Sequence, residues 1–114
     1  MEYRLKKAKD FDRVFKAGKR AFTNRLTLIY LPAKTVKAGY AVGKKHGKAV
    51  KRNRIKRLLR ESIRPRIPQM KCGYYVFIAR SAAEEADFHR IDKSVDNLLT
   101  RHHLYKSVSD EQKA

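Results

Sequence analysis

Between Lys44 and Arg66 the chain places eleven lysines and arginines against one carboxylate, Glu61. Inside that run, Lys51-Arg-Asn-Arg-Ile-Lys-Arg-Leu-Leu-Arg-Glu61 sets a single amide, Asn53, between guanidinium forks. These groups do binding chemistry. Arginine grips phosphate bidentately and lysine supplies a mobile point charge. Asn53 both donates and accepts, so it suits a base edge, a 2′-hydroxyl or a metal-bound water. A solvated helix face would mix signs at i,i+4. Here the like charges repel until a polyanion lies along them and releases its counterions. Acid–base chemistry would fall to His46, His89, His102 and His103. No acidic run accompanies them, and each reads as a surface histidine.

Two further groups have open readings. Gly43-Lys-Lys-His-Gly47 sets Lys44 and Lys45 ahead of the basic segment, either as an anion site or as a plain flexible turn. The phosphate-loop spacing of glycines is absent. Phe11, Phe15 and Tyr30 would suit unpaired bases if they lay beside the charge, since stacking contributes about 1–3 kcal/mol per base. Core packing is the competing role for the two phenylalanines.

The elements that must position these groups follow from periodicity. At about 100° per residue, Ile55, Leu58, Leu59 and Ile63 share one arc of a helix from about Lys48 to Ile63 or Arg64, ended by Pro65. Asn53, Lys56, Arg57, Arg60 and Arg64 fall on the opposite arc, with Lys51 and Arg54 flanking it. A first helix is expected around Lys9 to Ala17, stopped by Gly18. Strands are expected at Arg25 to Leu31, Ala38 to Gly43 and, as a two-sided central strand, Tyr74 to Ala79. Arg20 to Thr23 would add an edge strand. The short connection from Pro32 to Lys37 suggests antiparallel pairing of the strands it joins. Ser81-Ala-Ala-Glu84 resembles a capping box. A last helix, Asp87 to His102, carries Phe88, Ile91, Val95, Leu98 and Leu99 on one face. The order α-β-β-β-α-β-α describes an α+β two-layer sandwich, one sheet with helices packed on it.

The length of 114 residues suits one domain, with an ordered core from about 5 to 105. A formal charge of +18 implies phosphate-bearing partners. The longest apolar run, Tyr74 to Ala79, is too short to span a bilayer, and the N-terminus shows no secretory pattern. A single cysteine, Cys72, suits a reducing cytoplasm and reads as a small buried or half-buried residue.

Lys51 to Glu61 resembles the signature helix of the bacterial ribonuclease P protein family. Val42-Gly-Lys-Lys-His-Gly-Lys-Ala-Val50, Asp10-Phe-Asp-Arg-Val-Phe-Lys-Ala-Gly18, Leu28-Ile-Tyr30 and Tyr75-Val-Phe-Ile-Ala-Arg80 fit the same pattern in the same order. The resemblance implies a left-handed βαβ crossover, where physics alone would expect a right-handed one. It implies a non-catalytic subunit that helps a catalytic RNA remove the 5′ leader from precursor tRNA. It assigns the required Mg²⁺ to the RNA and calls for no obligate protein partner. RNA contact is implied for Arg52, Asn53, Arg54, Lys56, Arg57 and Arg60. The same resemblance makes Phe11, Phe15 and Tyr30 one leader-binding cleft between the sheet and the first helix. Two residues depart from the pattern: Lys48 stands where an asparagine cap is common, and His46 where an apolar residue is usual. Without the resemblance, a protein nuclease or a ribosomal-type RNA-binding protein would remain open.

Overall fold

The computed structural model describes residues 3–106, apart from the side chain of His46. Helix α1 (Ala8–Ala17) leads into β1 (Lys19–Phe22), β2 (Leu26–Pro32) and β3 (Val36–Ala41). After a 3₁₀ turn at Lys44–His46 comes α2 (Ala49–Ile63), then a second 3₁₀ segment at Arg64–Gln69. Strand β4 (Gly73–Ala79), a third 3₁₀ turn at Ser81–Ala83 and α3 (Phe88–Arg101) complete the order. The proposed edge strand therefore exists. Gly18 does end α1, but with extended backbone (φ −74°) rather than a left-handed cap. Its lack of a side chain matters for another reason: a Cβ there would lie 2.6 Å from Ile29 Cγ2.

The strands form one mixed sheet in the order β1-β2-β4-β3. Strands β1 and β4 both pair antiparallel with β2, and β3 runs parallel to β4. The expected pairing of β2 with β3 does not form, because β4 lies between them. Strand β4 presents apolar residues on both faces, and only the centre of a sheet buries both. Strand β3 carries Lys37 and Gly39, which suit an edge. Its connection from β2, residues 33–35, reaches about 10 Å, enough to step across one intervening strand. The N-terminal segment covers the outer edge of β3, where Leu5 N donates to Ala38 O at 2.9 Å and Ala38 N donates to Tyr3 O at 2.8 Å.

Alternation divides the core in two. Leu26, Leu28, Tyr75 and Phe77 join Ile55, Leu58, Leu59 and Ile63 of α2 and Ile91, Val95, Leu98 and Leu99 of α3. On the other face, Ile29 and Val76 pack with Leu5, Val14 and Phe11. The first helix thus adds a layer on the face opposite the other two helices.

Local capping and burial differ from expectation at a few places. The Ser81 segment makes no side-chain cap, and α3 starts as expected at Asp87, which caps it by accepting from Arg90 N at 2.9 Å. Phe88 is 41% exposed, because it begins α3 before the helix reaches the sheet. Cys72 is exposed rather than buried, lying in the turn before β4.

The end of α2 is held by a polar clamp. Arg66 grips Asp92 of α3 with two guanidinium nitrogens and donates through Nε to the Tyr105 hydroxyl at 2.9 Å. Ser62 Oγ donates to Asp92 at 2.8 Å, and Tyr105 donates to Asp96 at 2.7 Å. The hydrogen bond from Arg66, joined by those from Ser62, holds the Asp92 carboxyl below the usual carboxylate range. Arg66 therefore belongs to the scaffold and is subtracted from the RNA-facing charge.

Candidate nucleic-acid interface

Helix α2 docks through Ile55, Leu58, Leu59, Ser62 and Ile63, all buried. That anchoring turns Asn53, Arg57, Arg60 and Arg64 outward, each exposed, at the i, i+4, i+7, i+11 spacing of a straight stripe. Arg57, Arg60 and Arg64 make no ion pair or hydrogen bond among the described residues. Asn53 also keeps its amide unengaged there, and Val50, 83% exposed, adds an apolar step beside it. The result is a rigid ridge of donors with a full complement of unspent hydrogen bonds.

The remaining predicted cations are less uniform. Lys44 and Lys45 are exposed on the 3₁₀ turn that leads into α2, where Gly47 adopts φ +107°. Arg52 Nε donates to Gly47 O at 3.2 Å and so fastens that turn to the helix. Arg54 donates to Ala86 O at 3.2 Å, linking the ridge to the loop before α3. Lys56 is half-buried. Lys51 Nζ lies 3.6 Å from both Glu84 and Glu85, counter-charges thirty-odd residues away that local sequence could not assign. At the start of α2, Lys48 occupies the cap position with no side-chain cap, and no acidic residue enters the first turn. The positive end of the helix dipole therefore adds to the side-chain charge.

The three aromatic residues do not form one cleft. Phe11 packs onto the sheet over Gly39, where a Cβ would approach its Cζ to 2.5 Å, so it lies half-buried against the core on that face. Phe15 stays 37% exposed on α1. Tyr30 points to the opposite face, its ring centroid 4.9 Å from that of Tyr75 and its hydroxyl donating to Cys72 O at 2.8 Å. The physical reason is strand parity. In Leu28-Ile29-Tyr30 every residue is apolar or aromatic, so the sequence does not show which parity faces α1.

Tyr30 instead borders a separate depression of about 430 Å³. Its floor is Ala21, Leu28 and Leu104, and its rim is Lys19, Arg20, Lys71 and Arg101 together with exposed His102 and His103. Burial raises the Tyr30 phenol above its ordinary value, with Cys72 adding to the rise, so the hydroxyl stays a donor. This site lies beyond α3 from the ridge: α2 contacts β3, while α3 contacts β2. Sequence reasoning found Tyr30 but not its cationic neighbours, which come from three other segments of the chain.

Nothing in the site resembles hydrolytic machinery held by the protein. Among the described residues, no three His, Cys, Asp or Glu side chains converge as metal ligands. The same residues include no helix long and apolar enough to cross a membrane.

Fold and surface define an α+β protein with an unbalanced cationic helix face, the footprint of a nucleic-acid-binding protein. The family model for ribonuclease P matches residues 1–103. A ribonuclease P protein component of Caldanaerobacter subterraneus is 42% identical over 106 residues, spanning 90% of this chain and 91% of that one. Another from Clostridium kluyveri is 46% identical over 109 residues, spanning 91% and 97%. Among solved structures, the Staphylococcus aureus RNase P protein superimposes with a TM-score of 0.85 at 28% identity, covering 93% of this chain and all of that one. The Thermotoga maritima RNase P protein gives 0.77 at 30% identity, covering 86% and 96%. The chain belongs to the ribonuclease P protein family, the RNA-processing protein subunits of the tRNA-maturing ribonucleoprotein.

Proposed function

We propose that this chain acts in the cytoplasm as an electrostatic and stacking clamp for precursor tRNA cleavage by the catalytic RNA. The α2 ridge neutralises RNA phosphates, and the Tyr30 depression receives the single-stranded 5′ leader. Leader sequences vary, so phosphate contact with base stacking suits the task better than base reading. The observation that carries the reading is the row Asn53, Arg57, Arg60 and Arg64, outward-facing on a buried apolar anchor with no acidic partner among the described residues. Phe11 has no part in the leader site, and Phe15 lies on the α1 side of the sheet.

Holding the leader fixes the scissile phosphate relative to the RNA's own reactive groups, a gain in positioning rather than in bond chemistry. The family resemblance assigns Mg²⁺ to the RNA. Reconstitution with the catalytic RNA tests the proposal, comparing precursor with mature tRNA. Tyr30→Ala is expected to weaken precursor binding about tenfold through lost stacking and leave mature tRNA unchanged. Tyr30→Phe, which keeps the ring but loses the bond to Cys72 O, should retain precursor affinity. Equal losses for both substrates would refute the leader role.

A further inference from the structure

A cleft of about 520 Å³ opens between the covered edge of β3 and the last turns of α2. Ala38 and Ile67 form its floor, the rings of Tyr3 and Tyr40 and the face of Pro68 its walls. Its rim carries Arg4, Arg60 and Arg64, and no carboxylate among the described residues lines it. Apolar walls with guanidiniums at the mouth fit a nucleotide: a flat base inside and its phosphate outside.

Two observations connect this cleft to the RNA path. Arg60 borders it and also borders both shallow depressions along the ridge, the one that begins at Val50 and Asn53 and the one that reaches Pro65. A backbone following the ridge therefore reaches the Tyr40 cleft by way of Arg60, the residue shared by all three depressions. The Tyr40 ring stacks on Phe77 at 6.4 Å and 28°, which fixes its plane, while its hydroxyl makes no hydrogen bond among the described residues. Burial pushes the Tyr40 phenol up to about 12, although Arg60 and Arg64 pull it down. The ring thus meets a base as a neutral face and brings no charge against the phosphate.

We propose that the Tyr3–Tyr40 cleft binds one unpaired nucleotide of the RNA, its base against Tyr40 and its phosphate on Arg60 and Arg64. This deepens the RNA-binding reading and rests on it. The site is distinct from the Tyr30 depression, which lies beside β1 at the other end of the sheet.

The test measures affinity of the full-length protein for the catalytic RNA over a salt series, with Tyr40→Leu, Tyr40→Phe and the double variant Arg57→Ala/Arg60→Ala. Tyr40→Leu should weaken binding about tenfold with an unchanged salt slope, because a stacked base is lost and no phosphate contact is. Tyr40→Phe should stay within about twofold of the parent. Unchanged affinity for Tyr40→Leu overturns the nucleotide site, even where the double arginine variant still binds weakly. An unaffected double arginine variant overturns the ridge reading itself.

A measurement on the unaltered protein guards against misfolding of Tyr40→Leu. Ring resonances of labelled tyrosine are followed during titration with hexauridylate and, separately, with inorganic phosphate. Tyr40 should shift with hexauridylate and not with phosphate. Equal shifts from phosphate alone would make the cleft a plain anion site and overturn the base-binding proposal.

Discussion

Replacing Arg57 and Arg60 together by alanine should flatten the salt dependence of RNA binding while leaving the fold intact. Both side chains are exposed, and neither has an acidic or hydrogen-bonding partner among the described residues. Their removal therefore breaks nothing in the scaffold, and surface substitutions of that kind stay within about 0.5 kcal/mol of the parent stability. Relief of repulsion along the stripe could even raise it. Each cation that neutralises a phosphate contributes about 0.9 to the slope of log affinity against log salt on a duplex, so two contribute about 1.8. Between 50 and 200 mM salt that difference amounts to roughly tenfold in affinity. The parent should thus lose about ten times more affinity than the variant across that range. Binding to the catalytic RNA would be followed by fluorescence anisotropy at four or five salt concentrations, beside a thermal melt of the free protein. Lys51→Ala is the internal control: its ammonium already lies near Glu84 and Glu85, so its slope change should be smaller. A lowered melting temperature with an unchanged slope would show the two arginines to be structural, and the ridge argument would fail.

Two other perturbations address the scaffold. Asp92 is held below its ordinary range by Arg66, so its share of stability is present above about pH 4 and drains away as pH falls through the native value. Asp92→Asn should cost stability at pH 7 and flatten the acid limb of a denaturation profile; an unchanged acid limb would count against the clamp. Gly39→Ala would drive a methyl group to 2.5 Å from the Phe11 ring and 3.3 Å from Leu5, costing about 1–3 kcal/mol by urea titration. A neutral result there would mean that α1 does not pack as described.

Much of the molecule was legible because its strongest signals are local. The apolar arc of α2 fixes which way the arginines point, and Pro65 fixes where the regular helix stops. The density of apolar residues in β4 marked it as central, and the sheet order agrees. What failed was information that a single segment does not carry. The short connection from Pro32 to Lys37 suggested antiparallel pairing of β2 with β3, yet β4, more than thirty residues later in the chain, took the space between them. The Ser81 segment forms a 3₁₀ turn without a side-chain cap, while α3 starts from its Asp87 cap, where its own sequence pattern placed it.

The sequence by itself determined that this protein carries a cationic helix face unbalanced by acid, since charge count and 3.6-residue periodicity need no partner elsewhere in the chain. Only the tertiary structure decided which cations remain for RNA. It drew Arg66 into a clamp with Asp92 and set Glu84 and Glu85 near Lys51, leaving Arg57, Arg60 and Arg64 unengaged among the described residues. It also sent Phe11 and Tyr30 to opposite faces of the sheet. The reason is the same in each case: strand parity and long-range ion pairs are settled by which surfaces meet on folding, and no local pattern records that choice.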